Sequence, residues 1–497
     1  MSCEPNSHPN SILRLTHVCR QWRAIILNYP LFWSCPDFSR PLLAKEMIQR
    51  SKPGPLDLHL AFIIKWRTSI SNMLSVMTAS SNEIPRIRTL KLMLGYSGFC
   101  IPHYMLQPIV SLLAQVQRMP LLESLSIRSC GNEAKLELPT HIVAGGSPLL
   151  KELDLRQCRI PWGSPIFANL TTLNLDLSGD EFLSSDLPDG STFLQTLGES
   201  PLLERFSLTG VFPLSITTDA LPAVIVLPHL RRLHLGVQDP AQTRSCTETF
   251  RRLSFPQTVQ AVWLHITYDE SALSFLQESS SSNLFRPFFE KVTSLGEARI
   301  VRLYSESDEI VNLEIWHKAI PFEPEDDFLE PLVSESYRTG AKIPSFGAEI
   351  EWLGDTRHYV PMQSVIREMT RSLSMKHLET LDLRQHADED AAKAILDALT
   401  DSTTLRCLPI SEESTRGFVA CITVSAFPAL CDLGLFRVDL RQLIREGLFE
   451  PLVSTLETRP KKLERLMIDE HELLPIDSEI ERLQNVAVVT VFNKNAR

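Results

Sequence analysis

Side chains able to hold a metal gather at His386, Asp388, Glu389 and Asp390, where an imidazole and carboxylates crowd into a few positions. They follow directly on Leu381 and Leu383, so a strand exit and helix N-cap is the better reading: acidic side chains there accept from the free amides of a first helical turn. His471-Glu472-Leu473-Leu474 begins like a zinc-protease helix, but Pro475 stands where the second imidazole ligand belongs. The chain contains no G-x-x-x-x-G-K-[ST] phosphate loop, no G-x-G-x-x-G turn and no G-x-S-x-G nucleophile elbow, and Gly95-Tyr96-Ser97-Gly98 has the wrong spacing for one. No catalytic residue, metal site or cofactor is therefore expected, and the chain reads as a binding protein rather than an enzyme.

Recognition chemistry is better represented. A motif of the form L-x-x-L-x-L recurs from residue 80 onward, at Ile87-Leu90-Leu92, Leu122-Leu125-Ile127 and Leu150-Leu153-Leu155, with further starts at Leu170, Leu203, Leu230 and Val259 and weaker ones at Leu295 and Ile310. It returns at Leu378, Leu405, Leu430 and Leu463. Such alternation predicts short parallel strands whose leucines point inward while the intervening side chains are displayed on one face. That face would carry Arg128, Asp154, Arg156, Asn174, Asp176, His234, Trp263, His265, Trp316 and Arg384. Charges mixed with tryptophan are common at protein-binding hot spots, so these residues are the candidate target-binding set. Several return segments look helical, including Met105 to Met119 and Asp388 to Leu399. Regularity is lost near residues 308–363, a segment that carries Pro321 to Asp327 (PFEPEDD) and reads as an insertion with a solvated loop. Ser279 to Ser282 marks a flexible loop within one coil.

At 497 residues, 43% hydrophobic and 22% charged, the chain has the composition of a large folded protein. A net charge of -11 argues against a general nucleic-acid surface, because such affinity rests on neutralising phosphates. No cationic region followed by an apolar stretch marks a signal peptide, and the longest apolar run, Ala220 to Leu227, is short and broken by Pro222. A cytoplasmic or nuclear location is expected. Ten cysteines without a C-x-x-C pair suggest neither a disulfide framework nor a zinc module, and most should be reduced and buried.

The N-terminal stretch His17 to Trp33, HVCRQWRAIILNYPLFW, has a different character. Leu15, Val18, Cys19, Trp22 and Ile25 are spaced for one helical face, with Arg14, Arg20, Gln21 and Arg23 opposite. Pro30 stops the helix, and Leu31, Phe32 and Trp33 can fold back onto it. So much apolar surface in a short helix must be covered, either by the rest of this chain or by a partner. Pro41 to Arg50 predicts a second helix, with Leu42, Leu43, Met47 and Ile48 apolar, and Leu56, Leu58 and Leu60 then alternate as a strand capping the first repeat.

Val18, Cys19, Trp22, Arg23, Pro30 and Trp33 match the V-C-x-x-W-R and P-x-L-W elements with which this segment resembles the second half of an F-box. Met1 to Ser11 supplies neither the Leu-Pro-x-Glu-like start nor the further apolar helix of that family, so the F-box would be partial. The repeats resemble irregular leucine-rich repeats, and Leu122 to Cys130 and Leu150 to Cys158 match their cysteine-containing subfamily. The combination resembles a class of F-box proteins abundant in fungi. It implies an α/β fold: a partial F-box at 1–40, a connecting helix and cap at 41–80, a leucine-rich-repeat solenoid at 81–480 with the insertion near 308–363, and a C-terminal cap or tail at 481–497. It also implies a substrate-recognition subunit of a cullin-RING ubiquitin ligase, docking on the ligase adaptor through Leu15, Val18, Cys19, Trp22, Ile25, Pro30 and Trp33 and holding a protein target on the repeat face. The alternatives are a repeat scaffold without ligase coupling and, with no motif behind it, an enzyme using a pocket in the 308–363 insertion.

Overall fold

The structure is a computed structural model. It describes residues 13–60, 66–92, 101–115, 118–130, 136–138, 142, 146–160, 162–178, 187–213, 224–268, 286–307, 310–317, 344–352, 373, 375–384, 389–469 and 477–492. The fold is mixed α/β and built on mostly parallel sheet, and the chain divides into two compact units, Met1–His234 with Arg252–Pro256 and Leu235–Arg251 with Gln257–Arg497.

In the first unit, strands Leu56–Leu60, Ile87–Leu92, Ser124–Cys130, Glu152–Arg156, Thr172–Asp176 and Arg205–Thr209 pair in chain order, all parallel. The recurrent motif has a specific physical job here. Its first leucine is buried and closes a tight turn: Leu122 N donates to Met119 O, Leu150 N to Ser147 O, Leu170 N to Phe167 O and Leu203 N to Ser200 O, at 3.1 to 3.2 Å. The next amide starts the ladder, as Glu123 N bonds Arg88 O, Lys151 N bonds Glu123 O and Thr171 N bonds Lys151 O, each within 2.9 Å. The two remaining apolar positions form buried rows across the sheet, Leu58-Leu90-Leu125-Leu153-Leu173-Phe206 and Leu92-Ile127-Leu155-Leu175-Leu208. Chain returns include helices Trp66–Ala79, His103–Ala114 and Gly190–Gly198, the last capped by Asp189, whose Oδ1 accepts from the amides of Ser191 and Thr192. The expected helix over Met105 to Met119 thus starts and ends earlier than the spacing implied.

Helix Pro41–Arg50, with proline at its start, packs Ala44, Met47 and Ile48 inward, while Leu42 is exposed and Leu43 half-buried. This region is tied to the sheet by Arg86, whose guanidinium donates to Ser51 Oγ and Gly54 O, both at 2.9 Å, and by Asp57 N, which donates to Ser34 O at 2.9 Å.

In the second unit, Thr380–Asp382, Cys407–Ile410, Asp432–Leu435, Arg465–Asp469 and Val488–Phe492 continue the parallel pattern. The weak starts at Leu295 and Ile310 do not. Leu295 ends helix Arg286–Leu295, and Ile310–Trp316 runs antiparallel both to Ile300–Ser307 and to Phe346–Trp352, which lies parallel to Ala261–Tyr268. Only Asp308 and Glu309 separate the first two strands, and a link that short makes a hairpin, whereas a parallel crossover takes about a dozen residues or more. Part of the irregular 308–363 segment is therefore sheet; Pro321 to Asp327 lies outside the described residues.

Candidate functional site

The N-terminal segment forms two helical pieces rather than one. Thr16, His17 and Val18 close turns onto Leu13, Arg14 and Leu15, and helix Arg20–Asn28 begins afresh with Cys19 as its N-cap, Sγ accepting from Trp22 N at 3.4 Å. The continuous stripe expected from Leu15 to Ile25 is thus split, because the Thr16 hydroxyl also bonds back to Leu13 O, at 2.6 Å, and ends the first turn. Pro30 opens the short 3-10 turn Pro30–Trp33, which folds Trp33 under the helix so that Nε1 donates to Ile26 O at 2.9 Å. Trp33, 3% exposed, belongs to a core with Ile26 and Met47, joined by the half-buried Leu15, Leu27, Phe32 and Leu43. The Arg50 guanidinium lies over its ring at 5.4 Å.

This packing sorts the seven expected docking residues. Trp33 is an internal anchor; Leu15 and Pro30 are half-buried; Cys19 is exposed. Val18, Trp22 and Ile25 stand out from the surface at 63%, 48% and 53% exposure, and Tyr29 and Leu31 extend the same class of exposed apolar side chains. The last two were missed because Pro30 marks the helix end. The signal was present, since residues flanking a helix-stopping proline sit where the chain turns back. Arg14, Arg20 and Arg23 are exposed, and residues 13–36 contain no acidic side chain, so this stretch is cationic within an acidic chain.

On the sheet of the first unit, the side chains between the buried leucines form polar rows. Asp154 is a node: one oxygen accepts from Ser126 Oγ at 2.9 Å and from the Arg128 guanidinium at 3.1 Å, and the other from Asn174 Nδ2 at 2.9 Å. Arg156 pairs with Asp176 at 3.2 Å, and His234 Nδ1 meets Ser207 Oγ at 3.2 Å. The structure therefore brings Arg128, Asp154, Arg156, Asn174 and Asp176 together on one half-exposed face, in the register read from the leucines.

The remaining expected residues lie in the second unit. His265 sits between two carboxylates, Nδ1 2.8 Å from Glu349 and Nε2 3.5 Å from Glu351. Trp263 lies flat on the backbone at Gly347, where a Cβ would come within 1.8 Å of the indole. Trp316 is buried at 3% exposure beneath the Arg302 guanidinium and is not on an open face. Arg384 is bound to Asp382 through both Nε (3.0 Å) and Nη2 (2.8 Å). Arg302 adds a 3.0 Å pair to Asp382 and a 3.2 Å pair to Glu314, which makes a buried network that the sequence reading missed; its only trace was polar residues alternating with the apolar ones of each strand. Burial opposes ionisation of Asp382, but Arg384 and Arg302 outweigh it and hold the carboxyl down to about 2.

Among the described residues no group of His, Cys, Asp and Glu could hold a metal ion, and no helix is long and apolar enough to cross a membrane. Glu389 opens helix Glu389–Leu399, while His386, Asp388 and His471 lie outside the described residues. Free thiols at Cys158, Cys246, Cys407, Cys421 and Cys431 are buried; burial pushes the Cys158 thiol well above its usual range, and its Sγ faces Arg156 O at 3.3 Å. Fold and surface together define a class: a mixed α/β protein with mostly parallel sheet, a polar, half-exposed sheet face in the first unit and exposed apolar side chains on and beside an N-terminal helix. No protein-family model and no curated protein matches the chain.

Proposed function

We propose that this chain is the non-catalytic substrate-recognition subunit of a cullin-RING ubiquitin ligase, with an F-box-like N-terminus and an irregular leucine-rich-repeat body. The observation that carries this reading is the exposure of the apolar side chains Val18, Trp22, Ile25, Tyr29 and Leu31, although Trp33 and Ile26 anchor the same segment internally. Fully burying one such side chain is worth about 1.5–3 kcal/mol, and since these are about half exposed, covering each adds roughly half of that, a contribution to association that polar contacts with the partner must supplement. The cationic character of this stretch favours an acidic-rimmed apolar groove, and like charges disfavour a second copy of it. The ligase adaptor is the occupant that the F-box resemblance implies. The polar face around Asp154 would then hold the protein target, and ubiquitin transfer would be performed by another subunit in the cytoplasm or nucleus.

The break at Thr16 to Val18 favours a second reading, a repeat scaffold without ligase coupling, because it leaves a shorter docking helix than the spacing implied. Co-purification with the adaptor distinguishes them. Binding by the chain that is lost in Trp22→Ala supports the receptor reading; absence of binding by the unaltered chain, also when extended with any upstream coding sequence, leaves the scaffold.

A further inference from the structure

We propose that Cys431 and Lys461 form an oxidant-triggered covalent link, a sulfenamide that staples two neighbouring strand entries in the second unit. Lys461 Nζ lies 3.1 Å from Cys431 Sγ, although the residues are 30 positions apart. The backbone holds them side by side: Glu464 N and Arg465 N donate to Cys431 O at 2.7 and 3.2 Å, where the parallel strands Asp432–Leu435 and Arg465–Asp469 begin their pairing. Arg459 fixes the loop leading to Lys461, its guanidinium donating to Ala426 O at 2.7 Å and Phe427 O at 2.6 Å. Sγ makes a second contact, 3.1 Å from Ala429 O, which limits its rotation. Cys431 is 8% exposed, whereas Lys461 is exposed, so the sulfur sits at the core edge with a solvent-facing amine against it.

The chemistry needs one co-reactant, a hydroperoxide such as hydrogen peroxide. The thiol is oxidised to a sulfenic acid and the peroxide is reduced, releasing one water. The Lys461 amine, its ammonium proton given to solvent, then attacks sulfur; the S–N bond forms, the S–O bond breaks, and the hydroxyl leaves as a second water with an amine proton. An amine already at contact distance has the advantage over external nucleophiles that intramolecular reactions enjoy. A thiol that reduces the S–N bond restores both side chains. The link closes a loop containing helices Leu440–Arg445 and Phe449–Thr458, restraining their departure from the sheet.

The test uses the full chain and Lys461→Arg, a change at an exposed side chain whose effect on folding is checked by circular dichroism. Each is treated with hydrogen peroxide, with and without dimedone to trap sulfenic acid, then digested and mapped by mass spectrometry. The expected result in the unaltered chain is a peptide pair joined at Cys431 and Lys461, lighter by two hydrogens than the separate peptides and released by dithiothreitol. In Lys461→Arg the joined pair is lost and dimedone accumulates on Cys431. Absence of the joined pair, equal dimedone labelling of Cys431 in both proteins, or a joined pair carrying an additional oxygen would each overturn the proposal.

Discussion

Trp33→Ala and Trp22→Ala remove the same side chain eleven residues apart, yet the packing assigns them opposite consequences. Trp33 is 3% exposed, donates to Ile26 O and lies beneath Arg50. Truncating a buried tryptophan costs about 3–5 kcal/mol from lost transfer energy and the residual cavity. The hydrogen bond adds about 1 kcal/mol, a total comparable with the whole stability of a small domain. Trp22 is 48% exposed, and its backbone amide donates to Cys19 Sγ, a hydrogen bond that alanine keeps. Its truncation should cost no more than about 0.5–1 kcal/mol. Hydrogen exchange of the amides of residues 20–34, read by mass spectrometry alongside urea unfolding followed by circular dichroism, separates the two. Protection should collapse in Trp33→Ala and persist in Trp22→Ala; under the proposed receptor function, adaptor binding should fall in both, through unfolding in one and through the missing contact in the other. Equal loss of protection in the two variants would refute the reasoning, because it would mean that Trp22 is part of the segment's own core and that its ring is not free for a partner.

Two further outcomes follow from the second unit. Gly347→Ala places a methyl group within 1.8 Å of the Trp263 ring, so the indole must leave the sheet backbone; a loss of about 1–3 kcal/mol in urea unfolding and a changed Trp fluorescence spectrum are expected, and an unchanged midpoint would show that the indole does not lie on Gly347. The Asp382 carboxyl is depressed from 3.8 to about 2, so its contribution is fully present above the unfolded value and is lost as pH falls from about 4 through about 2. The shift corresponds to an upper limit of about 2 kcal/mol. Urea midpoints measured down this range should fall less steeply in Asp382→Asn than in the unaltered chain; parallel curves would contradict the pairing with Arg302 and Arg384.

Much of the fold was legible because one local rule recurs. The first leucine of each motif terminates a turn and the following pair alternates inward, so Leu122-Leu125-Ile127 and Leu150-Leu153-Leu155 announce strand position, buried face and mutual register at once. Displayed positions such as Arg128, Asp154, Arg156, Asn174 and Asp176 followed from the same parity, and the structure sets them on one face as an Arg128–Asp154–Asn174 group and an Arg156–Asp176 pair. The rule ran out at Ile310. The segment Ile310–Trp316 alternates apolar and polar residues in sequence, yet Asn312 to Trp316 are all buried, and alternation is indifferent to strand direction, which was decided by pairing with Ile300–Ser307 and with Phe346–Trp352, far along the chain.

What the sequence determined by itself, then, was periodicity: which side chains face inward along each strand, where turns close, and that the N-terminal helix carries more apolar surface than a solvated helix tolerates. Periodicity is local, set by backbone geometry within a few residues. Tertiary structure alone decided which of that surface is spent internally. Trp22 and Trp33 are equally apolar and equally near the chain start, but Pro30 turns the segment so that only Trp33 reaches the Met47 side of helix Pro41–Arg50. Trp316 passed from an expected open face to the core for a related reason, because Arg302 of the neighbouring strand, itself held by Glu314 and Asp382, lies over its ring. Burial depends on what arrives from elsewhere in the chain, and no local pattern encodes that arrival.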